Sequence, residues 1–397
     1  MHILFLPSWY PASPEDVQGV FFRDQALALS NYGHQVGVVA PKFRSLKTLF
    51  GKAEPLAQST PSYELDAGIP TYRKSLLAAL PRVPYGNYWL FRRAARQLLK
   101  RYIDQHGKPD VLHAHCVIFG GAVAVVLGRE HGIPVVLTEH SSGFARNRYA
   151  HWQLDLAQKG FAGACPLIAV SPALGDVLGE CFPLSQGQWH WVPNVVSDRF
   201  NTRKSRSEKK SSTIFLNLAL MTENKGQSDL VEAFQDVARS NPGAELWLAG
   251  DGPSRAALEK QAGELGISGS VRFLGMIQPE KVPALLEQAD VMVISSHYET
   301  FGVVAAEALM AGLPVIATRC GGPECILERG DGLLVPVKDP GALAAAMLQM
   351  SETIDAFDSG TIATRAHVRF SGAAVARQLT DKYSQAINSF QDKLESA

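Results

Sequence analysis

The chain has 397 residues, 38 Lys/Arg against 38 Asp/Glu, and a hydrophobic content of 46%. That length suits two or three domains, each with a sizeable core, and no apolar run reaches the roughly 18 residues of a membrane-spanning helix. The five cysteines (116, 165, 181, 320 and 325) form no C-x-x-C pair, which argues against zinc or a disulfide framework and for a reducing, cytoplasmic setting.

Strand and helix signals alternate along the chain, the pattern of parallel sheets with crossover helices. The start, Met1 to Pro7, lacks the basic region and cleavage site of a signal peptide and reads as a first strand over 2–6. Pro11, Pro14 and Gly19 mark a loop, a helix is expected over about 20–32, and 35–39 is the next strand. Residues 42–52 are basic and apolar by turns. Strands are expected at 69–73, 111–113, 135–138 and 167–170, helices over 88–102 and 121–131, and another helix opens at Ser171-Pro172. The segment 193–200 and the polar run 203–212 break the pattern and read as an interdomain linker. A second α/β set follows, with strands at 214–218, 245–249, 271–274, 291–294, 315–318 and 332–335. Its helices are expected over 228–240, 254–264, 281–288, 304–310 and 340–350, and about 373–396 is one long helical pattern. The expected domains are 1–195 and 196–375, with the helix from about 376 to 397 packing back onto the first and a ligand-binding cleft between the two. Charge is divided unevenly: residues 1–195 carry 18 Lys/Arg against 13 Asp/Glu, and residues 196–397 carry 20 against 25. A basic first half suits an anionic partner there, or uneven surface charge with no partner.

One stretch stands out, from Ser295 to Leu309. An apolar strand runs into it and a helix runs out, with Glu299 in the loop and Glu307 about two turns along the helix. Strand ends that meet helix N-termini bind ligands in α/β folds, and free N–H groups there suit phosphate. Carboxylates on both sides suit a ligand with hydroxyls as well as phosphates. A strand–helix turn with solvated glutamates is the plainer reading.

Several motifs in order resemble a known family. They are Val192-Pro193-Asn194-Val195, Leu248-Ala249-Gly250-Asp251-Gly252-Pro253, Val271-Arg272-Phe273-Leu274-Gly275, Glu299-x7-Glu307, Ala311-Gly312-Leu313-Pro314, Gly321-Gly322-Pro323-Glu324 and Gly330-Asp331-Gly332-Leu333. Together they resemble the retaining glycosyltransferases of family 4, which have the GT-B fold of two Rossmann-like α/β domains. The match is dense over 192–340 and looser upstream. It implies that the second domain holds a nucleotide sugar, UDP- or GDP-linked, as substrate and not as cofactor. Glu299 would then contact sugar hydroxyls, Glu307 the ribose, and the amides of Phe301, Gly302 and Val303 the sugar and diphosphate oxygens. Gly275 falls within the matched donor-binding pattern. Lys225, before Gly226, matches the diphosphate-binding lysine, but Leu220 stands where the family has an arginine, with Arg319 one replacement. In the first domain the resemblance makes His115 the active-site histidine facing the sugar across the cleft. His113 is expected on the opposite strand face in a structural role. His140 is placed by acceptor or phosphate, Gly19 lets backbone approach a ligand, and Arg23 meets an acidic acceptor. The plain alternatives are a helix-start glycine at 302, an exposed Glu307, a solvated Lys225, a satisfied core histidine at 115 and a surface Arg23.

No D-x-D occurs, so no chain-borne metal site is expected. The resemblance implies hexosyl transfer with retention by front-face attack, in cell-surface polysaccharide or lipopolysaccharide assembly. The 42–52 stretch and Arg92, Arg93, Arg96, Lys100 and Arg101 suit a lipid-linked acceptor or the inner face of an anionic plasma membrane, or else are solvated helix faces. No nucleic-acid partner is expected. The rival readings are a GT-B nucleotide-sugar epimerase and a non-catalytic sugar-nucleotide-binding protein, for which Leu220 is the best argument.

Overall fold

Parallel pairing governs both sheets of the computed structural model, which describes residues 1–12, 16, 19–44, 60–78, 83–201 and 212–396. The basic stretch from residue 45 and nearly all of the polar run 203–212 lie outside the described residues. The chain divides into two compact units, Met1–Val195 with Gly372–Ala397, and Val196–Ser371.

Unit 1 runs β1 (His2–Pro7), α1 (Val20–Asn31), β2 (Gln35–Arg44), β3 (Ser62–Asp66), β4 (Ile69–Leu77), α2 (Gly86–His106), β5 (Val111–His115), α3 (Ala122–His131), β6 (Val135–Glu139), α4 (His151–Gly163), β7 (Leu167–Ala169), α5 (Pro172–Cys181) and β8 (Trp189–Trp191). Its sheet order is β3-β4-β2-β1-β5-β6-β7-β8, and only β3 is antiparallel to its neighbour. In register, Pro7 faces His115, His115 faces Thr138, and Glu139 faces Ala169. The carboxyl ends of β1, β5, β6 and β7 therefore lie side by side, where ligands collect in such sheets.

Unit 2 runs β9 (Ile214–Leu218), α6 (Gln227–Ser240), β10 (Glu245–Ala249), α7 (Arg255–Glu264), β11 (Val271–Gly275), α8 (Val282–Gln288), β12 (Val291–Ile294), α9 (Val303–Met310), β13 (Val315–Thr318), α10 (Pro323–Ile326), β14 (Gly332–Val335), α11 (Pro340–Thr353) and α12 (Ser359–Phe370). Its six strands are all parallel, in the order β11-β10-β9-β12-β13-β14. Helix α6 turns Leu230, Val231, Phe234 and Val237 onto the sheet, where they meet Phe215, Leu246 and Met347 in one core. The last helix, α13 (Gly372–Glu395), belongs to unit 1. Its residues Val375, Ala376, Leu379, Tyr383 and Ala386 form an apolar stripe packed with Ile3, Phe5, Phe22 and Leu29. Among the described residues no helix is long and apolar enough to cross a membrane.

Five elements escape the sequence pattern: β3, α4, β8, α12 and the one-turn helix α10, whose Gly321-Gly322-Pro323-Glu324 start reads as a loop. The edge strand β3 is almost wholly exposed: Tyr63 and Leu65 share a face but are 51% and 62% exposed, and its hairpin rests on Ala67 and Gly68, both at positive φ. Helix α4 carries Gly160 in its last turn and ends at Gly163, and both read as breakers. Added Cβ atoms there would lie 2.5 Å from Val117 Cγ2 and 2.2 Å from Val125 Cγ1, so these glycines allow close packing. Strand β8 is three residues long. Helix α12 has weak helix formers but a strong start, with Thr361 N donating to Asp358 Oδ1 at 2.7 Å, and it buries Ile362, Ala366 and Phe370.

Gly37 on β2 gives a direct test of the unit 1 core. A Cβ there would sit 2.2 Å from the ring of Tyr102, which is fully buried and bonded through its hydroxyl to His2 Nε2 at 2.7 Å. Gly37→Ala is expected to cost about 1–3 kcal/mol by overpacking, read by urea unfolding. Gly269→Ala, where nothing lies within 4 Å, is expected to stay within about 0.5 kcal/mol of the parent.

Candidate functional site

In unit 2 two turns at neighbouring strand ends are laced together. One follows β9 and carries Asn224, Lys225 and Gly226; the other follows β12 and carries 295–302. His297 N donates to Asn224 O at 2.8 Å, Asn224 Nδ2 to Tyr298 O at 3.1 Å, and Ser295 Oγ to Lys225 O at 2.8 Å. His297 Nε2 lies 2.8 Å from Asp229 Oδ2 on α6. The turns come so close that a Cβ on Gly226, at φ 61°, would lie 2.0 Å from the Ser295 carbonyl oxygen. Only glycine fits there, and it fixes where its neighbour points: Lys225 Nζ lies 2.6 Å from Glu299 Oε1. Ser296 Oγ donates to the same oxygen at 2.6 Å. Glu299 is also tied through its backbone to the loop after β13, with Glu299 N on Cys320 O at 2.9 Å and Gly322 N on Glu299 O at 3.0 Å.

Helix α9 begins immediately after this cluster. Gly302 caps it at φ 86°, ψ 55°, with no side-chain cap; Ala305 N donates to Gly302 O at 2.8 Å, and the amides of Val303 and Val304 ahead of it have no acceptor within the helix. Phe301 is buried against Phe370 and takes part through its backbone alone. Val303 and Glu307 are half-buried on α9. The structure thus gathers Lys225, Glu299, Phe301, Gly302, Val303 and Glu307 around one strand–helix junction. Gly275 is not part of it: it ends the edge strand β11, three strands from β12, about 14 Å at ordinary strand spacing, and its carbonyl accepts from Gly250 N at 2.8 Å. Leu220 is 53% exposed and adds no charge to the junction. Arg319 is exposed and stands one residue before Cys320, on the loop bonded to Glu299.

In unit 1 His115 and His140 meet, with His115 Nδ1 3.2 Å from His140 Nε2. Phe5, Phe22 and Phe21 enclose the pair. The expectation that His113 lies on the opposite strand face is corrected here. Residues two apart on a strand share a face, and the rings of His113 and His115 are 4.1 Å apart. Its structural role is visible in its bonds, at 2.8 Å to Thr138 Oγ1 and 2.8 Å to the Tyr383 hydroxyl. Burial pushes the pKa of His113 and of His140 down to about 3, and that of His115 well below the ordinary histidine value; neighbouring imidazoles add to the shift at His113 and His115, and Asn194 opposes it at His140. All three are neutral near pH 7. His115 Nε2 and His140 Nδ1 are buried without a hydrogen-bond partner among the described residues.

Glu139, passed over in the sequence, organises the loops that follow both histidines. It is wholly buried; Oε2 accepts from Val117 N at 2.8 Å, and Oε1 from His140 N at 3.0 Å and Ser141 N at 2.8 Å. Burial raises its pKa, and the backbone donors oppose that shift. The loop it holds includes Cys116 at φ 60° and Phe119 at φ 71°, conformations that need such support. A carboxylate between a buried strand and His140 was the available signal. Gly19 caps α1 at φ 82°, and a Cβ there would lie 2.9 Å from the Trp9 indole, so a side chain of the protein occupies the space beside it. Arg23 has a partner within the chain. It is paired with Asp66 at 2.8 Å, which also accepts from Tyr10 OH at 3.3 Å.

Two family models match the chain: Glycosyl transferases group 1 over residues 198–354 and Glycosyltransferase Family 4 over residues 18–200. A protein of Bacillus subtilis named for teichuronic acid biosynthesis, the glycosyltransferase TuaC, is 28% identical over 405 residues, covering 93% of this chain and 98% of that protein. The lipopolysaccharide core biosynthesis glycosyltransferase LpsE of Rhizobium meliloti is 37% identical over 44% of this chain and 50% of its own length. Among solved structures, Anabaena HepE in complex with UDP superposes with a TM-score of 0.72 over 97% of this chain and 100% of that one, at 19% identity.

The buried histidines predict an acid-sensitive unit 1. Their pKa values are depressed by folding, to about 3 for His113 and His140, so below the unfolded value near 6.5 the unfolded chain binds more protons. Stability is fully present above about pH 6.5 and falls as the pH drops, by roughly 1.4 kcal/mol per histidine per pH unit. Urea midpoints at pH 7, 6 and 5 check this; His140→Phe is expected to flatten the slope by one proton.

Proposed function

Since the chain belongs to the family 4 glycosyltransferases with the GT-B fold, we propose that it transfers a hexosyl unit from a nucleotide-diphosphate sugar to a glycan or lipid-linked acceptor, retaining the anomeric configuration and using no divalent metal. The observation that carries this reading is the Lys225–Glu299 pair, 2.6 Å apart, at the open N-terminus of α9. The lysine and the first-turn amides present positive charge to a diphosphate. Both bonds to the Glu299 carboxylate fall on Oε1, which leaves Oε2 to accept from sugar hydroxyls. Glu307, two turns on, serves the ribose. Arg319 supplies the second cation that Leu220 does not.

In the reaction the acceptor oxygen bonds to the anomeric carbon as the bond from that carbon to the diphosphate breaks. The acceptor's proton passes to the departing phosphate oxygen on the same face. The contribution of the protein is positioning and electrostatic stabilisation. The UDP held by the HepE structure supports a UDP-sugar donor, with a GDP-sugar the other candidate. The names of TuaC and LpsE support a role in polysaccharide or lipopolysaccharide assembly.

A thermal-shift screen over UDP- and GDP-hexoses, followed by transfer assays, tests the donor. Glu299→Ala is expected to lower kcat/KM by about 100-fold or more, as loss of a transition-state contact does; full activity in that variant overturns the assignment. Arg319→Ala is expected to raise KM for the donor.

A membrane-facing role is proposed for α2. Trp89 is 58% exposed beside Arg92, with Arg93 and Lys100 also exposed. Arg92 and Arg96 are paired with Glu130, so fewer charges are available than the sequence count implies. Liposome flotation at low salt is expected to retain the protein on anionic vesicles and to weaken with Trp89→Ala. No binding removes the idea.

A further inference from the structure

A residue from the far end of the chain closes the group of imidazoles behind the ends of β5 and β6. The Tyr383 hydroxyl on α13 lies 2.8 Å from His113 Nδ1, and Thr138 Oγ1 lies 2.8 Å from His113 Nε2. Burial keeps His113 neutral and the Tyr383 phenol protonated. A neutral imidazole has one N–H and one lone pair, so one hydroxyl donates to the ring and the other accepts from it. Turning the ring over would set two C–H groups against two buried hydroxyls. His113 is thereby fixed in orientation.

His113 is also the surface against which His115 rests, with ring centroids 4.1 Å apart at 41°. Phe5 at 4.5 Å and Phe22 at 4.9 Å close other sides of His115, and its Nδ1 is taken by His140. Nε2 is what remains, buried and without a partner among the described residues. The other core residues of α13, namely Val375, Ala376, Leu379 and Ala386, are apolar and serve packing. Tyr383 differs from them in carrying a hydroxyl to the histidines. A phenylalanine would fill nearly the same volume, so packing does not require that hydroxyl.

We infer that Tyr383 is a positioning residue for glycosyl transfer: through His113 it sets the ring of His115 and so the direction of His115 Nε2. The inference rests on the proposed transferase reading, with His115 as a group that acts in the transfer. It assigns the last helix a part in the site as well as in the core.

The test compares the parent, Tyr383→Phe, His113→Phe and the double variant, using the nucleotide hexose that the parent turns over. Long-range 15N spectra of the histidine rings provide a readout without activity. Tyr383→Phe is expected to lower kcat about tenfold, the scale of a small misplacement, to leave KM for the donor within about twofold, and to shift the His115 ring nitrogens. In the His113→Phe background it is expected to add nothing further. An unchanged kcat with unmoved His115 resonances overturns the inference, and so does an equal loss in both backgrounds. Should Tyr383→Phe fail to fold, Thr138→Val removes the other hydroxyl from the same ring; it is expected to give the same kcat loss and resonance shift, and the absence of both overturns the inference. If His115→Ala keeps full activity, the role of His115 fails instead, while the spectra still report whether Tyr383 sets its ring.

Discussion

The close approach of Gly226 to the carbonyl of Ser295 decides where charge sits in unit 2. A Cβ would come within 2.0 Å of that oxygen, so the two turns touch only because one residue has no side chain. The contact brings Lys225 within reach of Glu299. The hydrogen bonds through Asn224, Ser295 and His297 then hold the arrangement from several directions. A lysine and a carboxylate that are both partly shielded from water interact more strongly than a surface pair. Close by, the glycine cap of α9 supplies no side chain to the amides that open the helix. Backbone geometry, more than side-chain identity, makes this end of the sheet receptive to an anion.

Unit 1 solves a different problem, that of keeping polar groups in a dry interior. Its three imidazoles are uncharged because burial removes their protons. A neutral ring is useful only if its donor and acceptor are assigned, and hydroxyls from Thr138 and Tyr383 do this for His113. Glu139 answers the neighbouring need by accepting three backbone N–H bonds from the loops after β5 and β6. Leaving those donors unpaired would cost about 1–3 kcal/mol each. The strained φ values of Cys116 and Phe119 therefore persist beside the candidate histidine instead of relaxing.

The division of labour along the chain explains which residues could be read early. The alternation of buried strands with amphipathic helices depends on local periodicity, so β12 and α9 and the motif at their junction are legible in order. Strand β3 and helix α4 are not, because one has only Tyr63 and Leu65 as apolar residues, both left exposed, and the other uses Gly160 and Gly163 for contacts that look like helix breaks. Arg23 shows the limit for charge: nothing near it in sequence announces its partner Asp66, 43 residues on at the end of β3. His113 shows the limit for orientation, since the period-two rule applied correctly puts it beside His115.

The residue types, their spacing and most of the order of strand and helix were therefore settled by the sequence, because each depends on neighbours a few positions away. Which of those residues meet was settled by long-range pairing. The Lys225–Glu299 contact depends on β9 lying next to β12, and the Tyr383–His113 bond on the last helix returning to the first unit. Such contacts join residues 74 and 270 positions apart, and no local pattern encodes them.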